Sequence, residues 1–359
     1  MTDSKQAPLD AEAAAKAAFA SVQDQPFPND IFTAPELRWA VIGCGVIANQ
    51  MAQSLALAGR KLAGVANRTL SKAQAFAEQY GVEKVYETVE DLYADPDIDA
   101  VYITTPHNTH ITYLRAALAA GKHVLCEKAI TLNSAELDEA RAIADEHNVV
   151  LMDATTVLHM PLYRELRRRM DAGEFGRMNL AQLNFGSYKE YGDLTNRFYN
   201  RNLAGGAMLD IGVYALSVMR LFMASQPVEV VSLGNTCETG VDVAGGIVCR
   251  NAEQQLGVVS LTLHSKQPKR SVISFDKCYI EVNEYPRADH ATIVWTADGH
   301  REEVHTGTEA YALCYEMADL EKAVAGDDSK RELLDYASDV MELMTKLRAD
   351  WGVVYPEEE

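Results

Sequence analysis

The chain lacks the features of a secreted or membrane-spanning protein. No run among its 359 residues approaches the roughly 18 consecutive apolar residues that a spanning helix needs. After the first residues, Met1 to Lys5, comes an alanine-rich stretch that Asp10, Glu12 and Lys16 interrupt. This pattern has neither the basic start nor the unbroken apolar segment of a secretion signal. We therefore expect a cytoplasmic protein.

Cysteine is scarce and scattered. The six cysteines form no Cys-x-x-Cys pair and no Cys/His spacing typical of a metal site. We predict that they are buried free thiols and that the protein holds no metal.

Positive charge is also in short supply. The formal net charge of −19 would repel a polyanion. One basic cluster, from Arg164 to Arg169, has helical spacing and includes Glu165, which is typical of a solvated helix face. We expect neither a nucleic-acid partner nor a membrane partner.

The apolar sequence that is present suffices for two domains. Hydrophobic residues make up 48% of the chain and charged residues 24%, as in globular proteins. The length exceeds that of one ordinary core. Residues 1–34 are predicted to be an N-terminal arm with an alanine-rich helix over 10–24, which either packs on another surface or is disordered.

Short β-rich runs alternate with helical stretches from Leu37 onward. Strands are predicted over 38–42, 61–66, 100–104, 123–127 and 149–152, and helices over 49–57, 71–80, 109–120 and 134–147. Strands separated by helices of this length form a parallel sheet with right-handed crossovers. Residues 35–155 are therefore predicted to form a doubly wound α/β domain.

The texture changes in the second half, where strand-like segments follow one another with short turns. They are predicted over 178–188, 228–237, 246–250, 255–264, 271–275, 279–282, 292–296 and 302–305. With one helical stretch over 207–223, residues 156–319 are predicted to be an α+β domain with an open, mostly antiparallel sheet. Two helices, over 311–325 and 331–351, close the chain. We expect residues from about 320 to 359 to pack back on the first domain.

The turn Gly43-Cys44-Gly45-Val46-Ile47-Ala48 joins the first strand to the first helix of the α/β domain. The first glycine permits a tight turn, and the second lets the backbone approach a pyrophosphate. The helix N-terminus supplies N–H donors to the phosphates. This context predicts a dinucleotide site formed by Gly43, Gly45, Val46 and Ile47.

The end of the second strand bears on which dinucleotide binds. An NAD site usually has an acidic residue roughly 20 residues beyond the turn. Here Asn67, Arg68 and Thr69 follow the strand, and none is acidic. Arg68 is placed to pair with a 2′-phosphate, and Asn67 adds a neutral donor. We predict NADP in preference to NAD; the alternative is that Arg68 is merely solvated.

Polar residues also end further strands of the predicted sheet, where ligands of such folds bind. One strand leads into Thr105-Pro106-His107-Asn108-Thr109-His110, and the next ends in Glu127-Lys128. An ordinary surface ion pair is the alternative for Glu127 and Lys128. The residues predicted to contact the cofactor here are Thr105, Pro106, Asn108, His110, Glu127 and Lys128.

A second cluster lies beyond the first domain. Asp210 and Tyr214 are four residues apart and share one face of a predicted helix. A tyrosine with a pKa near about 10 is a poor acid–base group unless its phenolate is favoured, and the charge of Lys128 would favour it. The alternative for Tyr214 is a packed helix aromatic. Arg197, Tyr199 and Arg201 precede this helix and are candidates for the substrate pocket.

Four motifs, in order and at their usual distances, resemble the glucose–fructose oxidoreductase/inositol dehydrogenase/MocA (Gfo/Idh/MocA) family. The likeness runs from about Leu37 to Pro356. The motifs are Gly43-x-Gly45-x-x-Ala48, Thr105-Pro106-x-Asn108-x-His110, Gly121-Lys122-His123-Val124-Leu125-Cys126-Glu127-Lys128 and Gly205-Gly206-Ala207-x-Leu209-Asp210-Ile211-Gly212-x-Tyr214.

The resemblance implies a Rossmann domain followed by a substrate-binding domain whose open sheet joins homodimers or homotetramers. It implies NAD(P)-dependent hydride transfer on a sugar, polyol or related cyclic alcohol, with Lys128, Asp210 and Tyr214 as the catalytic residues. A tyrosine at 214 resembles the dihydrodiol and xylose dehydrogenase branch. One departure is Ala129, where the family usually has proline, so we expect the backbone after Lys128 to differ from the family's.

Two other functions remain open on the same fold. One is a sensor or regulator that binds dinucleotide without turnover. The other is an NAD-dependent enzyme that cleaves glycosides. Retention of Lys128, Asp210 and Tyr214 together favours an oxidoreductase over a sensor.

Overall fold

The computed structural model describes residues 17–23 and 25–359, which contain two β-sheets. The strands of the first sheet are β1 (Trp39–Ile42), β2 (Gly64–Ala66), β3 (Lys84–Tyr86), β4 (Ala100–Ile103), β5 (His123–Cys126) and β6 (Leu151–Asp153). All pairs are parallel, in the order β3-β2-β1-β4-β5-β6. This is the strand order of a doubly wound dinucleotide-binding fold, so the predicted Rossmann sheet is confirmed.

Helices cover this sheet. They are α2 (Val46–Leu57), α3 (Leu70–Tyr80), α4 (Val89–Ala94), α5 (His110–Ala119) and α6 (Ser134–Glu146). Every residue of β1 and β4 is buried, because helices lie on both faces of a parallel sheet. The sequence analysis missed β3 and α4, which are short elements of three and six residues.

The second sheet has eight strands in the order β14-β13-β12-β11-β7-β10-β9-β8. They are β7 (Met178–Gly186), β8 (Pro227–Thr236), β9 (Asp242–Asn251), β10 (Leu256–Thr262), β11 (Gln267–Phe275), β12 (Cys278–Asn283), β13 (His290–Trp295) and β14 (Arg301–His305). Only β7 and β10 pair in parallel, so the predicted mostly antiparallel sheet is confirmed.

The remaining helices connect the two sheets. They are α7 (Pro161–Asp171), α8 (Val213–Phe222), α9 (Ala312–Val324), α10 (Asp328–Arg331) and α11 (Leu333–Asp350). Helix α8 packs on one face of the second sheet, while α9 contacts α2 and β5, and α11 contacts α6 and β6. The buried Glu321 of α9 accepts hydrogen bonds from Trp39 of β1 and from Arg60.

The N-terminal arm packs against both domains where the structure describes it. Residues 17–22 form a helix (α1). Of the helix predicted over 10–24, residues 10–16 and 24 lie outside the described residues, and residue 23 lies beyond the end of the helix. Val22 and Ile31 are buried, and the Phe27 ring lies 5.0 Å from that of Tyr311. The guanidinium of Arg60 covers the Phe32 ring at 4.0 Å.

One helical segment has the length and apolar composition of a membrane-spanning helix, which was not predicted from the sequence. Arg201–Phe222 is long and apolar enough by composition, with a mean hydropathy of 1.3 over its window. Because 83% of that window is buried inside the protein, the segment is a core element here. All six cysteines are free; Cys126, Cys249, Cys278 and Cys314 are buried as predicted, whereas Cys44 and Cys237 are partly exposed.

Candidate active site

The glycine turn leaves room for phosphate at the start of α2. Gly43 has a φ of +105° and donates its N–H to the Ala66 carbonyl, and a Cβ there would lie 2.6 Å from Thr104 Oγ1. Gly45 caps α2 in an extended conformation, and a Cβ there would meet no atom within 4 Å. No side chain caps the first turn, so its N–H groups are available to an anion. This cradle fits a dinucleotide pyrophosphate.

Arg68 is exposed just after β2 and has no ion-pair partner among the described residues. Its neighbour Asn67 donates a side-chain hydrogen bond to the Thr69 carbonyl at 3.0 Å, which orders the loop. A free guanidinium beside the phosphate cradle is suited to binding another phosphate.

The loop after β4 holds its predicted residues in different environments. Thr105 is half-buried and Pro106 is exposed. His110 is fully buried, with Nε2 2.8 Å from the Thr105 carbonyl and Nδ1 3.0 Å from that of Ala129, so it supports these two backbones. The Asn108 amide donates to Glu357 at 2.8 Å and to the Asn202 carbonyl. Both ring nitrogens of His110 are thus engaged with backbone carbonyls, whereas the buried Asn108 Oδ1 has no hydrogen-bond partner among the described residues.

Lys128 follows β5 and extends toward the second domain. Its Nζ donates to the Asp210 carbonyl at 2.7 Å, lies 3.4 Å from Asp210 Oδ1 and covers the Tyr214 ring at 4.8 Å from the centroid. Glu127 accepts a hydrogen bond from the Tyr102 hydroxyl. The Lys128–Ala129 peptide bond is cis, although residue 129 is alanine and not proline. The structure thus brings the three predicted catalytic side chains together.

Asp210 is placed by a helix whose entry is tightly packed. It lies in a π-helical turn, Met208–Gly212, which leads directly into α8. The buried Asp242 accepts the Met208 N–H at 2.6 Å at the start of this turn. Gly206 has a φ of +125°, and a Cβ there would lie 2.3 Å from Asp242 Oδ1. The sequence analysis missed Asp242, because its strand position carries no motif.

The charges in the cleft are mutually compensating. Burial lowers the pKa of Lys128, but attraction to the Tyr214 phenolate, which forms only at high pH, and to Asp210 outweighs burial and holds that pKa above its ordinary value. Burial raises the pKa of Asp210, yet the cations Lys128 and Arg197 bring it well below its usual range. Lys128 and Asp210 are therefore both ionised at neutral pH.

Tyr214 behaves differently from the expectation. Burial raises its pKa and outweighs the opposing effect of the Lys128 charge, so the phenol is protonated at neutral pH. Among the described residues its hydroxyl has no hydrogen-bond partner. The arrangement offers a proton donor without a competitor, next to a fixed ammonium.

Other residues at this site escaped the sequence analysis. His107 is a neutral histidine whose pKa burial lowers to about 3; its Nε2 lies 3.1 Å from the Lys128 carbonyl and its Nδ1 3.3 Å from that of Ala204. Burial also raises the pKa of Asp153 to about 7. In the described part of the chain, neither carboxyl oxygen of the buried Glu316 has a hydrogen-bond partner, and its pKa is raised well above the usual value by burial. Of these residues, only His107 lies in a polar strand end that the sequence pattern singled out.

A C-terminal strap, residues 351–359, ties the site together. The Tyr355 hydroxyl donates to the Gly205 carbonyl at 2.7 Å, and Glu357 accepts from Asn108 of the other domain. Arg348, which is 2% exposed, holds Glu358 at 2.8 Å. Of the three pocket candidates, Arg197 lies 3.5 Å from Asp210 Oδ1, Tyr199 is buried, and Arg201 bonds to Val354 and Glu359 of the strap.

Comparisons with known proteins agree with this architecture. Residues 37–155 match the oxidoreductase family with an NAD-binding Rossmann fold, and residues 163–281 match the GFO/IDH/MocA C-terminal domain. A trans-1,2-dihydrobenzene-1,2-diol dehydrogenase from Mus musculus is 32% identical over 254 residues, which cover 69% of this chain and 75% of the relative.

Solved structures share the same two-domain fold. A 3-ketoreductase from Actinomadura kijaniata, in complex with NADP and TDP-benzene, has a TM-score of 0.75 at 25% identity, covering 88% of this chain and 98% of that chain. Levoglucosan dehydrogenase, in complex with NADH and levoglucosan, has a TM-score of 0.76 at 20% identity, covering 87% and 97%.

Proposed function

Because the chain belongs to the Gfo/Idh/MocA oxidoreductase family, we propose that it transfers a hydride between a nicotinamide cofactor and the carbinol carbon of a sugar, polyol or cyclic diol, with Lys128, Asp210 and Tyr214 as the catalytic residues. The observation that carries this proposal is the convergence of these three side chains at the carboxyl end of β5. A sensor that only binds dinucleotide has no need of all three.

The roles of the three residues follow from their charges. Tyr214, protonated at neutral pH, gives its proton to the carbonyl oxygen in the reductive direction, and as phenolate it accepts the hydroxyl proton in the oxidative direction. Lys128 hydrogen-bonds the same substrate oxygen and stabilises the phenolate by charge attraction. Asp210 holds the Lys128 ammonium and orients a second substrate hydroxyl.

The cofactor, when bound, supplies the redox chemistry, and the chain holds and orients it. Gly43, Gly45, Val46 and Ile47 would hold the pyrophosphate at the start of α2. Thr105, Pro106 and Glu127 would line the nicotinamide end, with His110 and Asn108 supporting that loop. Asn67 and the unpaired Arg68 favour NADP over NAD. The solved structures hold NADP in the Actinomadura enzyme and NADH in levoglucosan dehydrogenase, so this preference rests on Asn67 and Arg68.

We also propose that the protein is a cytoplasmic homodimer or homotetramer assembled through its second sheet. Helix α8 covers one face of that sheet. The other face exposes Val231, Leu233, Val248 and Leu256, with Leu233 83% accessible. Apolar side chains on neighbouring strands form the kind of patch that marks a protein interface.

We further propose a division of the chain into an arm (1–34), a Rossmann domain (35–155) and a substrate-binding domain (156–319). In this division, residues from about 320 to 359 pack back on the Rossmann domain.

The proposal is tested by following nicotinamide absorbance with NADP and NAD against a panel of aldoses, polyols and trans-dihydrodiols. We expect net NADP reduction with at least one class. A cofactor that stays bound through purification, with glycoside cleavage and no net reduction, would establish the glycoside-cleaving alternative instead. Tight dinucleotide binding without turnover of any panel member would identify a sensor.

A further inference from the structure

The substrate side of the cleft carries more positive charge than its own carboxylate neutralises. Lys128 Nζ and Arg197 Nη2 lie 3.4 Å and 3.5 Å from the same oxygen of Asp210. Lys189 also feels the charge of Asp210, Lys128 and Arg197. Three cations therefore share one carboxylate, in a chain whose net charge is −19.

Lys189 is the cation without a partner. It is half-buried in the loop that follows β7, and among residues 17–23 and 25–359 no carboxylate pairs with its ammonium. Instead, its Nζ lies 4.2 Å from the centre of the Phe198 ring. Burial lowers its pKa, the charge of Asp210 opposes this effect, and the neighbouring Arg197 and Lys128 add to it. An ammonium that is partly removed from water in this way is stabilised more by a bound anion than a fully solvated ammonium is.

Arg197 lies on the same aromatic ring. Its guanidinium carbon is 4.1 Å from the Phe198 centroid, and its side chain is 60% exposed, so it is open to a ligand. Two like charges on one ring repel each other. Among the described residues only Asp210, which Lys128 also contacts, pairs with either of them. Glu127, the other carboxyl beside Lys128, accepts a hydrogen bond from Tyr102 and forms no ion pair with Lys189 or Arg197.

We propose that Lys189 and Arg197, held on Phe198, form an anion subsite, and that the substrate is a sugar or cyclic diol bearing a carboxylate or phosphate group. This inference rests on the proposed function, because it places the anion beside the hydroxyl that Tyr214 and Lys128 would serve. The anionic group would fix the orientation of the substrate ring. A contact between Asp210 and a neutral hydroxyl would fix which ring carbon lies at the reaction centre.

The test measures binding and turnover separately on the NADP-loaded enzyme. Calorimetric titration compares D-glucuronate with D-glucose, D-galacturonate with D-galactose, and D-glucose 6-phosphate with D-glucose. We expect at least one anionic sugar to bind about tenfold or more tightly than its neutral counterpart. The two uronates test for a carboxylate group on the substrate, and glucose 6-phosphate tests for a phosphate group. The Lys189→Met and Arg197→Met variants should each reduce this preference for the anionic sugar about tenfold.

Lys61→Met, an exposed lysine paired with Glu83 on the Rossmann domain, is the matched control and should keep the preference. The anion subsite is overturned if the anionic and neutral members of every pair bind equally tightly, or if no anionic sugar binds. It is also overturned if both cleft variants retain the preference for the anionic sugar. Turnover of neutral sugars would then still support the oxidoreductase. An anionic sugar that binds through Lys189 and Arg197 but is never oxidised supports the subsite and counts against the proposed function.

Discussion

The ammonium of Lys128 lies over the face of the Tyr214 ring, 4.8 Å from its centre. At this place it is within hydrogen-bonding distance of Asp210 and leaves the phenol hydroxyl free. The ammonium therefore acts on the phenol through its charge. A substrate oxygen that approaches both the ammonium and the phenol hydroxyl can accept a hydrogen bond from each.

Removal of the Lys128 charge should depress the chemical step. We expect Lys128→Met to lower kcat by about 100-fold or more, because the substrate oxygen loses its charged donor and Asp210 loses a partner. Steady-state kinetics with the best substrate would measure this, with Lys61→Met as the control. A kcat within about tenfold of wild type would remove Lys128 from the mechanism.

The pH profile should differ between the two directions. Because burial raises the pKa of Tyr214, the phenolate is scarce at neutral pH. Oxidation, which needs the phenolate, should quicken about tenfold per pH unit up to that pKa, whereas reduction, which needs the phenol, should be flat below it. Tyr214→Phe should slow both and abolish the slope. Tyr113→Phe, on α5, should leave both profiles unchanged; an oxidative slope that survives in Tyr214→Phe would assign the proton transfer elsewhere.

Arg68 should determine the choice of cofactor. Arg68→Ala removes the free guanidinium beside the phosphate cradle, so KM for NADP should rise about tenfold to 100-fold. NAD, which lacks the 2′-phosphate, is the internal control and should change little. Equal effects on both cofactors would show that Arg68 supports the loop and does not read the phosphate.

The two glycines of the turn should respond differently to the same substitution. Gly43→Ala puts a side chain at a φ of +105° and 2.6 Å from Thr104, so it should destabilise the fold by about 1–2 kcal/mol or more. Gly45→Ala meets no protein atom within 4 Å and should unfold near the wild-type midpoint, while KM for the cofactor rises. Denaturant unfolding and cofactor titration separate the two effects. Similar unfolding midpoints would contradict the steric argument at Gly43.

Charge on the exposed sheet face should dissociate the oligomer. Leu233→Glu places a carboxylate on the most accessible of the exposed apolar side chains, and burying an unpaired charge in an interface is costly. Light scattering after size-exclusion chromatography should show a monomer for this variant and a larger species for wild type. A monomeric wild type would refute the assembly itself.

Sequence patterns predicted the elements with strong periodicity. The buried strands β1 and β4 and the long helices α6 and α11 are confirmed within a few residues. The three-residue strand β3 was missed because it is too short to carry a period. Asp242 and Glu316 were missed for a different reason. Their importance comes from neighbours that are distant in the chain, and no local pattern encodes it.

The protonation state of Tyr214 shows the same limit. Residue types alone led to an expectation of a lowered pKa from Lys128, and that attraction is present. Burial, which depends on how α8 packs between Phe185 and the Rossmann domain, is the larger effect. The chemistry of a residue could be inferred from its type, while the balance of forces on it needed the packing.

The C-terminal strap also has a mechanical consequence for the site. Tyr355 bonds to Gly205, and Glu357 bonds to Asn108, so one short segment is fastened at once to the loop before Asp210 and to the loop after β4. A shift of one loop away from the other has to break one of these hydrogen bonds or deform the strap. The strap thus acts as a tether that limits how far the cofactor side and the substrate side of the site can separate.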